Sequence, residues 1–202
     1  NRALELYTRA YEGRIEVLGK GDPSTISSQL LIASSLMSLD RAEDAVIAIE
    51  QAAATAEASL GPVHITTHRS LVLQTLLLNR LQRYAEAERL IKAQHQREWG
   101  ELGPGHAQTA VTGATLASTY IKQERFAEAV QALNESLPVL DDHFGRLHSQ
   151  RLEARGYLIE AVFGQGRLGD AERLAIEDAE SALSAYGGSH PVARQAVETL
   201  VG

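Results

Sequence analysis

The stretch Leu102-Gly103-Pro104-Gly105-His106 returns in altered form every 42 residues along the chain. Its glycine keeps its place in five copies, which are Gly19, Gly61, Gly103, Gly145 and Gly187. Three positions later stands an aspartate in the first copy and a histidine in the others: Asp22, His64, His106, His148 and His190. A fixed period of this length is typical of stacked repeats. We expect four complete repeats, 19–60, 61–102, 103–144 and 145–186, with half repeats at 1–18 and 187–202.

Each repeat divides into two helical patterns, helix A and helix B. In helix A of the third repeat, apolar residues recur at helical spacing, as at Leu116, Ala117 and Tyr120. We expect helix B to end at the glycine, because glycine enters the left-handed backbone region without a Cβ clash. His106 then lies where a helix N-cap belongs, as do its counterparts in the other repeats.

The turn from helix A to helix B has the same residue types in every repeat. An arginine is followed three positions later by an acid and then by an alanine, as in Arg125, Glu128 and Ala129. The acid lies in the first turn of helix B, where the helix dipole favours negative charge, and it can pair with the arginine. The alanine lets the two helices approach closely.

This arrangement resembles the tetratricopeptide repeat, in the 42-residue form found in kinesin light chains and in many bacterial regulatory proteins. The resemblance is carried by Leu-Gly-x-x-His, Leu116-Ala117-x-x-Tyr120 and Arg125-Phe126-Ala127-Glu128-Ala129, with their counterparts 42 residues on either side. It covers all 202 residues. It implies an all-α fold, an α-solenoid of antiparallel helix pairs in a right-handed superhelix, with residues 1–202 as a single domain.

The resemblance places the A helices on the concave side, where extended solenoids bind partners. Kinesin light chains carry paired asparagines on helix A, but this chain has other pairs there, such as Leu30-Leu31 and Val72-Leu73. Their cargo chemistry is therefore not transferred. The groove stripe of helix A is basic in the second and third repeats and acidic in the fourth, which favours a ligand with acidic residues and a hydrophobic anchor. The candidate groove residues are Met37, Arg69, Leu76, Asn79, Arg80, Ser118, Ile121, Lys122, Glu160 and Phe163.

Composition excludes several classes of protein. The formal net charge of -7 counts against a nucleic-acid surface, which needs a concentrated basic face. No apolar run reaches the roughly 18 residues that span a bilayer, so no membrane partner is expected. Cysteine is absent, which excludes disulfides, thiolate nucleophiles and cysteine-ligated zinc. The absence suits a reducing compartment, and we expect a cytoplasmic location.

The recurring histidines do not indicate a metal site. Equivalent positions in successive repeats are separated by about two helix packings of roughly 8 to 10 Å each, too far to share an ion. His64 and His68 are spaced by four, but His64 has the position of a cap and no third ligand is apparent. The turn acids recur in every repeat, which is typical of structure rather than catalysis. Since no catalytic motif is present, we expect neither an enzyme nor a cofactor.

The sequence therefore predicts a protein-interaction scaffold that binds a peptide or a partner domain in its groove. It starts within a helical pattern, so we expect it to be part of a larger regulatory or signalling protein, and the resemblance suggests a bacterial one. The alternative is a self-association module, in which repeats left open at either end stack on another copy.

Overall fold

The computed structural model of the chain describes residues 2–186, which form nine α-helices and no strand. The all-α prediction is confirmed. The helices are α1 (Arg2–Leu18), α2 (Pro23–Ser38), α3 (Ala42–Leu60), α4 (Ile65–Arg80), α5 (Tyr84–Leu102), α6 (Ala107–Lys122), α7 (Phe126–Phe144), α8 (Ser149–Gly164) and α9 (Leu168–Tyr186). None of these helices is long and apolar enough to cross a membrane.

Helices of two lengths alternate along the chain. The A helices α2, α4, α6 and α8 have 16 residues each, and the B helices α3, α5, α7 and α9 have 19. Within each set, successive helices start 42 residues apart. The half repeat expected at 1–18 corresponds to α1, and the one expected at 187–202 lies outside the described residues.

Two compact units divide the chain, an N-terminal unit Asn1–Pro104 and a C-terminal unit Gly105–Gly202. In the N-terminal unit each helix from α1 to α5 contacts the next, and α2 also contacts α4. In the C-terminal unit α6 to α9 are joined in the same way, and α6 contacts α8. That residues 1–202 form a single domain stays a prediction.

The core of the first repeat lies between α2 and α3. Ile26, Leu30, Ala33 and Leu36 of α2 are buried in one cluster with Ala45, Val46, Ile49, Ala52 and Ala56 of α3. The alanines predicted to allow close helix approach, Ala45, Ala87, Ala129 and Ala171, are at most 4% exposed. A larger side chain at these positions would overfill the packed interior.

The predicted helix caps are confirmed. In α2 the Asp22 carboxylate accepts from the backbone N–H of Ser24 at 2.8 Å. In α4, α6 and α8 the Nδ1 atoms of His64, His106 and His148 accept from the N–H groups of Thr66, Gln108 and Gln150 at 3.1, 3.2 and 3.3 Å. Each cap satisfies one of the N–H groups that a helix start leaves without a partner. His190 lies outside the described residues.

The glycines that end the B helices differ from the expectation in one angle. Gly61, Gly103 and Gly145 have φ of 93°, 87° and 77°, as predicted, but their ψ values are 164°, 166° and 162°. The left-handed helical region has ψ near +47°. These glycines instead occupy the extended region at positive φ, which only glycine populates readily, and which directs the chain away from helix B.

A Gly103→Ala change is expected to lower the free energy of unfolding by about 1 to 3 kcal/mol through backbone strain alone. Apart from Gly103 and its two chain neighbours, no atom lies within 4 Å of the position a Cβ would take, so the loss comes from the local backbone and not from tertiary contacts. Gly105→Ala is the control, since Gly105 has equal space and no left-handed φ. Urea unfolding measures both. Asparagine tolerates the left-handed helical region, so a Gly103→Asn variant as stable as the wild type would contradict the assigned backbone region.

A second turn motif ends each A helix, and the sequence did not reveal it. In the third repeat the N–H groups of Glu124 and Arg125 donate to the carbonyls of Ile121 and Tyr120, both at 2.9 Å, which is a Schellman motif. Glu124 has φ of 60°, and its counterparts Asp40, Gln82 and Gly166 have 59°, 60° and 76°. Because three of these four positions are not glycine, composition alone gave no sign of the turn.

The arginine that follows this turn pairs with the acid three residues later in every repeat. Arg41–Asp44, Arg83–Glu86, Arg125–Glu128 and Arg167–Asp170 are joined at 2.6, 2.7, 2.5 and 2.6 Å. The hydrogen bond from Arg83 lowers the pKa of Glu86, and the one from Arg167 lowers the pKa of Asp170. The paired side chains are between 33% and 53% exposed, so the pairs fix side-chain positions more than they stabilise the fold.

Candidate functional site

The A helices of the N-terminal unit carry no acidic residue. α2 has no charged side chain, and α4 has Arg69, Arg80 and a buried His68. The chain as a whole has a formal charge of -7, and the acids of this unit lie on α1, on α3 and α5, and in the turns. α2 and α4 contact each other. Together they present positive charge on an acidic chain.

Arg69 and Arg80 are both exposed, and neither forms an ion pair with a residue that the structure describes. They are 11 residues apart on α4, which is about three helical turns. The two side chains therefore leave the helix in directions that differ by only about 20°. At 1.5 Å per residue, their attachment points lie about 16 Å apart along the helix. The two guanidinium groups are therefore available to an anionic partner at two separate points.

One apolar side chain lies between the two arginines on α4, and others lie on α2. Leu76 is half-buried on the same face of α4. On α2, Leu31 is 43% exposed and Met37 is half-buried. Position 27 of α2 is equivalent to Arg69, because it lies 42 residues earlier. Leu31 lies four residues after position 27, so it is on the equivalent face of its helix. We call Leu31, Met37, Arg69, Leu76 and Arg80 the basic surface.

Three predicted groove residues are buried. Asn79 of α4 is 8% exposed, and Ser118 and Ile121 of α6 are 3% and 4% exposed. In the C-terminal unit α6 contacts α8, and the face that should have carried Ser118 and Ile121 is enclosed. These three side chains are not open to a ligand.

The predicted cation of the third repeat already has a partner in the chain. Lys122 Nζ lies 3.1 Å from Glu160 Oε1, and both side chains are about half exposed. Lys122 is equivalent to Arg80 of the preceding repeat. Of these two cations, Lys122 has an ion-pair partner among the described residues and Arg80 has none. Phe163, the last predicted groove residue, is 62% exposed on α8.

The A helices of the C-terminal unit differ in chemistry from the basic surface. Tyr157 of α8 donates its hydroxyl to Glu153 at 2.7 Å. Burial and the neighbouring Glu153 carboxylate raise the pKa of Tyr157, so the phenol stays neutral and remains a donor. α8 carries two arginines and two glutamates, and these charges are bonded within the unit, in contrast to the exposed arginines of α4.

A buried polar cluster in the second repeat was missed from the sequence. His68 Nδ1 lies 2.8 Å from Glu98 Oε1, and the side chains are 4% and 0% exposed. Gln94 donates to the same carboxylate oxygen and to the Pro62 carbonyl, at 2.8 and 2.9 Å. A comparison between the repeats could have revealed this cluster. In the first and third repeats the equivalent pairs are apolar, Ile26 with Ala56 and Ala110 with Leu140, whereas here two ionisable residues replace core residues.

A second enclosed network joins three helices of the C-terminal unit. Arg151 of α8 is 8% exposed at its side chain and pairs with Asp141 of α7 at 2.7 Å and Asp178 of α9 at 3.0 Å. Arg155 extends it to Glu177 at 2.8 Å and lowers the pKa of that carboxyl. The network holds α8 between its neighbours, and its charges are engaged with one another rather than with a ligand.

The histidines serve structure among the residues described. His64 caps α4, and His68 bonds to Glu98, so the pair spaced by four has two different partners. Residues 2–186 contain no group of three or more metal-binding side chains placed to hold one ion.

Comparison with known proteins finds the same kind of repeat. Residues 76–142 match the family model of the tetratricopeptide repeat. No curated protein gives a significant match.

Solved structures share the fold over nearly the whole chain. A kinesin light chain from Podosopora anserina with nearly identical tetratricopeptide-like repeats matches 92% of this chain and 88% of its own, with 20% identity and a TM-score of 0.67. A substituted variant of that protein matches 91% and 87%, with 21% identity and a TM-score of 0.69. BtubC (BKLC) from P. vanneervenii matches 98% and 80%, with 14% identity and a TM-score of 0.78. At these identities the likeness concerns the fold.

Proposed function

Because the chain carries tetratricopeptide repeats with the fold of kinesin light chain-like repeats, we propose that it is an interaction module whose basic surface binds a peptide segment of a partner protein. Tetratricopeptide repeats mediate protein–protein interaction. The role is one of binding, within a larger regulatory or signalling protein. The partner segment comes from another protein or from another domain of the same chain.

The observation that carries the proposal is a pair of exposed arginines on α4, a helix without acids, and neither arginine has an ion-pair partner in the described part of the chain. Arg69 and Arg80 flank Leu76, and Leu31 of α2 lies on the equivalent face. An acidic partner gains two charge contacts and one apolar contact, while a basic partner is repelled. An extended peptide advances about 3.3 Å per residue, so two acids about five residues apart match the spacing of the arginines.

Selection of random peptides displayed on phage tests this surface without a known partner. We expect the enriched peptides to contain two acids separated by about four to six positions, with a large apolar residue between them. Enrichment of peptides without acidic residues would contradict the proposal.

Reversal of both arginines, Arg69→Glu with Arg80→Glu, is expected to weaken binding of a selected peptide by at least about tenfold, which corresponds to about 1.4 kcal/mol. The loss should fall mainly on the association rate and should shrink as salt is added. Surface plasmon resonance at two salt concentrations measures it. The melting temperature should stay unchanged, since both side chains are exposed.

Lys122→Glu is the matched control for this reversal. It changes charge at the position equivalent to Arg80, but on a lysine already paired with Glu160. We expect peptide affinity to change far less than in the double reversal. Equal losses in the two variants would show that overall charge, rather than the basic surface, governs binding.

Self-association, the alternative function, is distinguished by sedimentation velocity across a range of concentrations. The proposal predicts a monomer that binds the selected peptide. A dimer that forms without peptide and does not dissociate when peptide is added would favour self-association.

A further inference from the structure

An exposed isoleucine of α4 lies just outside the pair of arginines. Ile65 is the first residue of α4 and is 50% exposed. It precedes Arg69 by four residues, so the two side chains are neighbours on one face of the helix. At 1.5 Å per residue, Ile65 lies about 6 Å from Arg69 along the helix axis, on the side away from Leu76 and Arg80.

The other described A helices do not start with a large aliphatic side chain. The positions equivalent to Ile65 in α2, α6 and α8 are occupied by Pro23, Ala107 and Ser149. The repeat therefore does not require an isoleucine at this position. Ile65 departs from the repeat pattern on the helix that also carries the two exposed arginines.

Two side chains hold the loop that leads into Ile65. Thr67 Oγ1 donates to the Gly61 carbonyl at 2.8 Å, and the Gln94 side-chain amide donates to the Pro62 carbonyl at 2.9 Å. Isoleucine is also branched at Cβ, which restricts its first side-chain torsion. A restricted side chain on a fixed backbone loses little conformational entropy when it contacts a ligand.

The opposite end of α4 offers no equivalent side chain. Arg80 is the last residue of α4, and the chain then turns at Gln82, whose φ is 60°. Leu81, between them, is half-buried and packs against the core of the first repeat. The exposed face of α4 therefore continues with an apolar side chain beyond Arg69 but not beyond Arg80.

We propose that Ile65 contacts a second apolar residue of the partner segment and so gives the basic surface a preferred peptide direction. This inference rests on the proposed function, because it concerns the same ligand. An extended peptide advances about 3.3 Å per residue, so the second apolar residue lies about two positions outside the acid that meets Arg69. The ligand is then an acidic segment with two apolar anchors, one between its acids and one outside a single acid.

Ile65→Ser tests this contact with a peptide selected on the wild-type chain. Serine starts α8 at the equivalent position, so the variant should fold with an unchanged melting temperature. We expect the affinity to fall by about three- to tenfold, because the exposed half of an isoleucine side chain loses its apolar contact. Surface plasmon resonance should place the loss in the dissociation rate, independent of salt, unlike the loss in the double arginine reversal.

Ile47→Ser is the matched control, since Ile47 is 54% exposed but lies on α3, outside the basic surface. We expect this variant to bind the peptide as the wild type does. A serine in place of the outer apolar residue of the peptide should weaken binding to the wild-type chain. It should have little effect on the Ile65→Ser chain, because the two changes remove the same contact.

The outcomes separate this inference from the proposed function. If Ile65→Ser binds the peptide as tightly as Ile47→Ser does, while the double arginine reversal still weakens binding, the role of Ile65 is wrong and the basic surface stands. If the arginine reversal has no effect, both proposals are wrong. Selected peptides with apolar residues outside both acids, or outside neither, would also contradict the preferred direction.

Discussion

Replacing His68 with alanine is expected to lower the free energy of unfolding by about 3 to 5 kcal/mol. The change leaves the Glu98 carboxylate fully buried, with the Gln94 amide as a remaining donor. A buried carboxylate that loses a hydrogen-bond partner keeps its desolvation cost, which is the reason for the large effect. Urea unfolding followed by circular dichroism measures it.

The chain supplies its own control for this prediction. The double variant His68→Ala with Glu98→Leu reproduces Ala110 and Leu140, which occupy the same two positions 42 residues later and are 3% and 0% exposed. Because it removes the charge together with its partner, we expect it to be about as stable as the wild type or more so. A double variant as unstable as the single one would show that the loss comes from packing and not from the buried carboxylate.

Replacing Arg151 with leucine is expected to cost about 2 to 4 kcal/mol, somewhat less than the loss of His68. Arg151 bonds Asp141 and Asp178 from an 8% exposed position, so its removal leaves two acids close together. The cost is moderated because Asp141 is 33% exposed and Asp178 keeps Arg155 at 3.3 Å. Urea unfolding at neutral pH gives the value.

Arg173→Leu is the control for Arg151, since Arg173 also pairs with two acids, Asp170 and Glu177. Its side chain is 60% exposed, and solvent screens both contacts. We expect no measurable change in the unfolding transition. If both arginine variants lose equal stability, burial is not what gives the Arg151 network its strength.

Most of the fold could be predicted from the sequence because each local pattern of residue types recurs in several repeats. The histidine positions predicted caps, and three described histidines cap helices. The alanines predicted close packing, and all four are buried. A single cap or alanine would be weak evidence, but recurrence at 42 residues removes chance as an explanation.

The parts that could not be predicted depend on angles or on contacts between helices. The A-to-B turn requires a positive φ, yet Gln82 and Glu124 adopt it because two backbone hydrogen bonds hold them there. The terminal glycines have the expected φ, but ψ is set by the direction of the following loop. Pairing of His68 with Glu98 needs two helices in register, which periodicity alone does not specify.

The candidate site was predicted only in part for a related reason. Met37, Asn79, Ile121 and Phe163 occupy one position of the repeat, yet they range from 4% exposed at Ile121 to 62% at Phe163. Burial there depends on which neighbouring helix covers the position, and that cannot be read from helix A itself. The exposed arginines of α4 were predicted, but the pairing of Lys122 with Glu160 was not.

The most direct test of the proposed basic surface is an NMR titration of the isotope-labelled chain with a selected acidic peptide. We predict that the largest amide shifts fall on α2 and α4, around Leu31, Arg69, Leu76 and Arg80, and that they disappear in the double arginine reversal. Shifts confined to the outer side chains of α3 and α5, such as Ile47 and Trp99, would contradict it.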